Sequence, residues 1–217
     1  MIKDSSFAKN LWYEVADDES LNIYINIPFC MCQCRYCLYK GNMNAAQQTK
    51  KDFVYGYLIP TIQSFHDVFE RHEINTIYFG GGTPNAVSPE MISDICDATG
   101  CFDRAHSRII EINPAFCNEE YVEAICQQGF TLLTFGVQSF DKESLQLQKR
   151  PYCSAEKIKM FGNICAKHNI LYSIDIMCYL KTYTAKDLEG FKSDIELAKF
   201  TEADFVTVYP ELNLILN

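Results

Sequence analysis

Short β-prone runs recur down this chain, and helical signals fill the stretches between them. The runs fall at 21–27 (LNIYINI), 75–80 (NTIYFG), 107–112 (SRIIEI), 131–137 (TLLTFGV), 170–177 (ILYSIDIM) and 203–210 (ADFVTVYP). Helical segments are expected at 47–72, 88–99, 118–128, 141–148, 154–169 and 185–200. Pro60 should bend or break the first, because its ring removes a hydrogen bond and clashes with the preceding turn. Ser88 followed by Pro89 and Glu90 is a strong helix start, and Asn118 caps a segment that Gly129 closes. Repeated strand–helix units demand a parallel sheet with right-handed crossovers, either open and doubly wound or curled into a barrel. No helix follows the run at 203–210, so that strand should present an edge unless something covers it, which suggests a fragment or a chain without a C-terminal extension.

In such folds ligands bind at the carboxyl ends of the strands. Five consecutive strands here end in polar or glycine-rich groups. Strand one runs into Cys30, Cys32, Cys34 and Cys37, four thiols within eight residues. Strand two ends in Gly80-Gly81-Gly82-Thr83-Pro84-Asn85, strand three in Glu111-Ile112-Asn113-Pro114, and strand four in Gly136-Val137-Gln138-Ser139. Asp175 lies near the end of strand five. Taken singly, each has a plain structural explanation. The glycine run could be a turn or a phosphate cradle, although the Walker form is excluded because no Gly-Lys-Ser/Thr follows. Glu111 could end a strand, Arg150 could be a surface charge, and Asp175 could cap a turn. Five on one rim argue for a shared site.

Thiolates bind soft metals, chiefly zinc and iron–sulfur clusters. Cys30, Cys34 and Cys37 have the spacing C-x3-C-x2-C. One tight loop suits wrapping a cluster, whereas structural zinc usually takes two separated pairs; a zinc knot or a reactive-thiol loop is the alternative. Three thiolates on a four-iron cube leave one iron open. Cys32, midway between Cys30 and Cys34, reads as a non-ligand. The other seven of the eleven cysteines are scattered singly and read as reduced, small buried hydrophobes or inert loop positions. The four histidines lie away from the rim and take no metal or catalytic role.

IPFC-x3-C-x2-C, followed in order by FGGGTPN, E-x-N-P, GVQSFD and a later Arg and Asp, resembles the radical S-adenosylmethionine (SAM) superfamily from about residue 22 to 177. Within it, the chain is similar to the oxygen-independent coproporphyrinogen III oxidases and their relatives. The resemblance implies an α/β fold, a partial (β/α)6 TIM-like barrel of parallel strands. It implies a [4Fe-4S] cluster on Cys30, Cys34 and Cys37, and one or two molecules of SAM. Tyr24, Tyr36, Gly81, Gly82, Thr83, Glu111, Gln138, Arg150 and Asp175 match positions that contact SAM. The implied chemistry is reductive cleavage of SAM to a 5′-deoxyadenosyl radical, which abstracts hydrogen from a small-molecule substrate, in these relatives a porphyrinogen or haem-related one. An electron donor such as flavodoxin or ferredoxin is implied. A methyltransferase-type relative, and a non-catalytic haem-chaperone-like protein or inactive fragment, are the other readings.

Three departures bear on the substrate. Asn26 stands where the family often has His. The family's Asp-x-x-x-Gly-Leu-Pro segment reads Asp175 through Tyr179-Leu180-Lys181. On this resemblance the family's C-terminal portion is expected to be missing, leaving a lead-in at 1–20 and a core domain at 21–217. A net charge of −9 argues against nucleic acid or an anionic membrane as a partner. No stretch is long and apolar enough to span a bilayer, and residues 1–20 lack a signal-peptide pattern, so a cytoplasmic location is expected.

Overall fold

The computed structural model describes residues 19–39, 41–178 and 184–210. Nearly all of the 1–20 lead-in, the Tyr179–Lys181 departure and the segment after Pro210 lie outside these residues.

All six expected strands form, as β1 (Leu21–Ile27), β4 (Ile74–Gly81), β5 (Ser107–Ile112), β6 (Leu132–Gln138), β7 (Leu171–Cys178) and β8 (Phe205–Pro210). Their order in the sheet is β1-β4-β5-β6-β7-β8 and every pairing is parallel. Each new strand is added on the same side of the last. This sequential winding is that of a barrel wall, since a doubly wound sheet would reverse direction part-way. Right-handed crossovers then bring the connecting helices to one face.

Alternation sorts the strand residues into two faces. Ile25, Ile27, Ile77, Phe79, Ile110, Ile112, Leu133, Phe135, Ile174 and Ile176 are all buried in one hydrophobic core. The helices α4 (Pro89–Thr99), α5 (Glu119–Cys126) and α7 (Ala155–Lys167) supply Ile92, Ile95, Ile125, Ile158 and Phe161 to it. The opposite face carries Tyr24, Tyr78, Glu111, Thr134, Gly136, Asp175, Thr207 and Tyr209. That face is half-polar, unlike a parallel sheet covered on both sides. On β8 the outward Val206 and Val208 are 41% and 46% exposed, because no described element follows to cover them.

The expected 47–72 helix is broken up. It forms α1 (Gln47–Phe53), a wide π turn (Val54–Leu58), α2 (Ile59–Gln63) and α3 (His66–Arg71). The break comes after Gln63, not at Pro60. Pro60 sits in the first turn of α2, directly after the widened turn, where the Thr61 hydroxyl donates to the Tyr57 carbonyl at 2.7 Å. The wide turn moves the carbonyls that the ring would strike, so the chain passes Pro60 without stopping. Ser88, Asn118 and Ser154 cap α4, α5 and α7 through side-chain oxygens, and Asp141 caps α6 (Lys142–Leu147) in the same way. A Thr184–Asp187 capping box opens α8 (Ala185–Thr201).

One small ladder was not legible in the sequence. β2 (Phe29–Cys30) pairs with β3 (Asn42–Met43). Asn42 N–H donates to the Pro28 carbonyl at 2.8 Å and Asn44 N–H to the Cys30 carbonyl at 3.0 Å. The chain thus leaves the sheet, makes the cysteine loop, and is fastened back beside its own start.

Candidate functional site

The glycine run after β4 is pressed against the base of the cysteine loop. Gly82 N–H donates to the Ile27 carbonyl at 2.8 Å and Thr83 N–H to the Phe29 carbonyl at 2.7 Å. The Thr83 hydroxyl reaches Cys30 Sγ at 3.7 Å. A Cβ on Gly82 would lie 2.4 Å from the Phe29 oxygen and 3.0 Å from Cys30 Sγ. Gly81 has φ +105°, and a Cβ there would meet Asn26 Oδ1. Glycine is needed at both positions because backbone meets backbone at the foot of the thiols. The N–H groups of Gly82 and Thr83 are therefore already bonded within the chain.

Cys30, Cys34 and Cys37 are free thiols. Burial and the nearby charges of Cys37 and Cys34 push the Cys30 thiol up. Cys34 behaves oppositely, its pKa pulled down to about 5 by the Cys32 thiol, which lies 3.7 Å away sulfur to sulfur, and by Arg150. Arg150 Nη1 donates to Cys34 Sγ at 3.4 Å, Nη2 donates to the Gly136 carbonyl, and the Tyr36 side chain also hydrogen-bonds Cys34. Cys37 is exposed and donates to the Tyr39 carbonyl at 3.8 Å. A cavity of about 590 Å³ lies beside the loop, lined by Gln33, Cys34, Arg35, Cys37 and Lys149. Among the described residues no three His, Cys, Asp or Glu side chains gather round a single-ion position. The Cys30 thiol feels the charges of both Cys34 and Cys37, and three soft sulfur donors on one loop suit an iron–sulfur cluster.

Arg150 is placed by the end of α6. Lys149 has φ +54°, its N–H donates to the Gln146 carbonyl and the Arg150 N–H to the Leu145 carbonyl. This is a Schellman ending with lysine where glycine is usual. The Gln148 carbonyl then accepts the Arg35 N–H at 2.8 Å, tying the helix end to the cysteine loop.

The inner face of the sheet supplies the rest. Tyr24 stacks on its register neighbour Tyr78, with ring centroids 5.6 Å apart. The Tyr78 hydroxyl donates to Glu111 Oε1 at 2.6 Å. Burial raises the Glu111 pKa, against the Tyr78 hydrogen bond. Asp175 is pushed up to about 6 by burial and by Glu111, while Thr207 and Arg150 partly oppose the shift. Gln138 adopts φ +75° at a bulge against β7 and accepts a hydrogen bond from the Tyr209 hydroxyl. Asn85 and Asn113 lock two rim loops together: Asn85 Nδ2 donates to the Asn113 carbonyl at 3.0 Å, and Asn113 N–H donates to Asn85 Oδ1 at 2.8 Å.

Every candidate residue thus lies at this rim or on the inner face below it. Four participants were not singled out from the sequence. Tyr78 is two residues before Gly80, and Thr207 and Tyr209 repeat at the same spacing on β8; a period of two on the polar face was the available signal. Asp194 on α8 carried none. It is buried, and it accepts from the Ser139 hydroxyl and the Phe140 N–H, both at 2.7 Å, holding the turn after Gln138. His66 Nε2 lies against the Ala98 carbonyl and His168 Nε2 against Glu123.

The family model described as the Radical SAM superfamily matches residues 24–195. A heme chaperone, HemW, of Haemophilus influenzae is 26% identical over 186 residues, covering 82% of this chain and 48% of the relative. An oxygen-independent coproporphyrinogen III oxidase of Synechocystis is 30% identical over 138 residues, 60% of this chain and 28% of the relative. The solved structure of the Escherichia coli coproporphyrinogen III oxidase HemN superposes with a TM-score of 0.80 at 23% identity, covering 97% of this chain and 48% of that one. The chain spans about half the length of the curated heme chaperones it matches. Among the described residues no helix is long and apolar enough to cross a membrane.

Proposed function

This chain belongs to the radical SAM superfamily, and from that premise we propose that it binds a [4Fe-4S] cluster through Cys30, Cys34 and Cys37 and cleaves SAM there. The observation that supports this most directly is the meeting of three free thiols with a polar sheet face on one rim. When bound, the cluster and SAM supply one-electron cleavage chemistry and a carbon-centred radical. The chain's own residues bind, orient and shield.

Cys34 is the buried ligand, its charge supported by Arg150, and Cys37 is the exposed one. Arg150, half-buried at the rim, suits a carboxylate. Glu111 and Asp175 suit ribose hydroxyls, and the raised Asp175 pKa leaves it able to donate as well as accept near pH 6. The Tyr24–Tyr78 pair gives the face an aromatic wall. Gln138, fixed by Tyr209, offers its remaining amide hydrogens toward the same space. Dehydration of this face strengthens each of these contacts.

The substrate is a porphyrinogen or haem-related molecule in our reading, because curated relatives handle such compounds. A haem-carrying role without turnover is the second reading, favoured by the heme chaperones that cover 77% and 86% of this chain. Anaerobic reconstitution with iron and sulfide, followed by dithionite and SAM, tests the proposal. About four irons per chain and release of 5′-deoxyadenosine are expected, and Cys34→Ala should lose both. Equal iron content and equal release in the two proteins would sink the ligand assignment. An intact cluster that binds haem stoichiometrically yet releases no 5′-deoxyadenosine would establish the second reading instead.

A further inference from the structure

Cys32 is not among the proposed cluster ligands. It lies between two proposed ligands in the sequence, and its sulfur sits 3.7 Å from Cys34 Sγ and 4.0 Å from Asn113 Nδ2. Asn113 is buried and fixed by its reciprocal bonds with Asn85, so it holds Cys32 on one side while Cys34 faces it on the other. A sulfur–sulfur bond is about 2 Å long, so a side-chain rotation in one or both residues spans the gap. Cys34 is buried from bulk solvent but lines the 590 Å³ cavity beside the loop, which admits a small reagent.

We propose that Cys32 and Cys34 form a thiol–disulfide modification site in the cluster-free chain, taking a low-molecular-weight disulfide as co-reactant. Cys34 sulfur attacks the reagent RS–SR. The Cys34–SR bond forms, the RS–SR bond breaks, and one RS⁻ departs and takes up a proton. Cys32, giving its proton to solvent, then attacks the Cys34 sulfur. The Cys32–Cys34 bond forms and the second RS⁻ leaves. Two protein thiols have been oxidised and one reagent disulfide reduced to two thiols. A bound cluster would occupy Cys34 and prevent the reaction. On the ligand reading proposed above, the disulfide in turn blocks loading until it is reduced, so Cys34 is kept from the irreversible steps of thiol oxidation.

The test uses the full cluster-free chain, fully reduced, desalted without air and treated with oxidised glutathione. Of the eleven thiols in the sequence, nine should remain alkylatable. Fragmentation of the peptide holding Cys30, Cys32 and Cys34 should link Cys32 to Cys34, and dithiothreitol should restore all of them. Cys32→Ser should form no internal link there. Mixed glutathione adducts alone in the wild type, a Cys30–Cys34 link, or an internal disulfide within this peptide in Cys32→Ser would overturn the site. The linkage in the wild type is read directly, so the result does not depend on how the variant folds. Iron uptake by the oxidised chain should fall at least tenfold and recover on reduction. A mapped Cys32–Cys34 link with unchanged iron uptake would uphold the modification site and refute Cys34 as a ligand.

Discussion

Arg150 Nη1 lies 3.4 Å from Cys34 Sγ, 116 residues away in sequence. A half-buried guanidinium beside a buried thiol favours the thiolate, the form that binds iron. Together with the Cys32 thiol it holds the Cys34 pKa down at about 5. In the cluster-free Arg150→Gln variant, the pH midpoint for iodoacetamide labelling of Cys34 should rise toward the ordinary thiol range near 8.5. Peptide-resolved labelling rates from pH 5 to 9 read this. A midpoint that stays put would mean that Cys32 alone sets it.

Gly82 is where the glycine run touches the thiols. A methyl group there meets the Phe29 oxygen at 2.4 Å and Cys30 Sγ at 3.0 Å, and neither a backbone oxygen nor the sulfur of a proposed ligand yields freely. Gly82→Ala should destabilise the chain by about 1–3 kcal/mol and lower iron retention after reconstitution. Gly56, with nothing near its Cβ position, is the control. Urea unfolding measures the first effect and iron content the second; a variant as stable as Gly56→Ala would contradict the packing.

How much of this was legible beforehand follows from which residues act through local pattern. The strands, the Ser88 and Asn118 caps and the cysteine spacing are local, and the sequence displays them. The barrel winding was implied by the family resemblance and not by the alternation itself, because strand–helix units are common to both kinds of parallel sheet and only the order β1-β4-β5-β6-β7-β8 separates them. The 47–72 segment passes Pro60 because a π turn upstream absorbs it, and local pattern does not display that turn. Asp194 was invisible, since a carboxylate on an amphipathic helix ordinarily faces water, and only the fold turns it onto Ser139. Thr207 and Tyr209 became site residues only through the register that sets Asp175 opposite Thr207.

Lys149 carries a backbone conformation that suits glycine. Side chains with a Cβ pay about 1 kcal/mol or more in the left-handed region, and glycine's greater unfolded freedom returns part of that. Lys149→Gly should stabilise the chain by roughly 0.5–1 kcal/mol, while Lys149→Val should destabilise it. Thermal unfolding at fixed pH compares the three. A destabilised glycine variant would show that the lysine side chain makes a compensating contact at the cavity it lines.

Tyr78 is the donor that makes a half-buried Glu111 tolerable. Tyr78→Phe keeps the ring stack on Tyr24 and removes only the hydroxyl. A hydrogen bond to a charged group is worth about 1.5–3 kcal/mol, so the Glu111 pKa should rise further. On the proposed function, SAM should bind on the order of tenfold more weakly near neutral pH, with part of the loss recovered if the ligand itself restores a donor. Carbon-13 titration of Glu111 and calorimetry with SAM read the two effects. An unmoved Glu111 titration would remove Tyr78 from the site.

Asp175 gives a pH prediction of definite sign. Its folded pKa is raised, from 3.8 to about 6, chiefly by burial and then by Glu111. A raised pKa means that the folded chain binds the proton more tightly than the unfolded one. The stabilisation from that proton is complete below about pH 4 and is lost as the pH climbs through 6. The ionised carboxylate then costs up to about 3 kcal/mol at neutral pH. Asp175→Asn, which keeps an acceptor for Thr207 without the charge, should therefore be more stable than the wild type at pH 7.5 and close to it at pH 4. The stability difference, read from urea midpoints across that range in the cluster-free chain, should open between pH 4 and 6.5 and then level off. A difference that is flat with pH would mean that Asp175 titrates normally and that burial is not what tunes it.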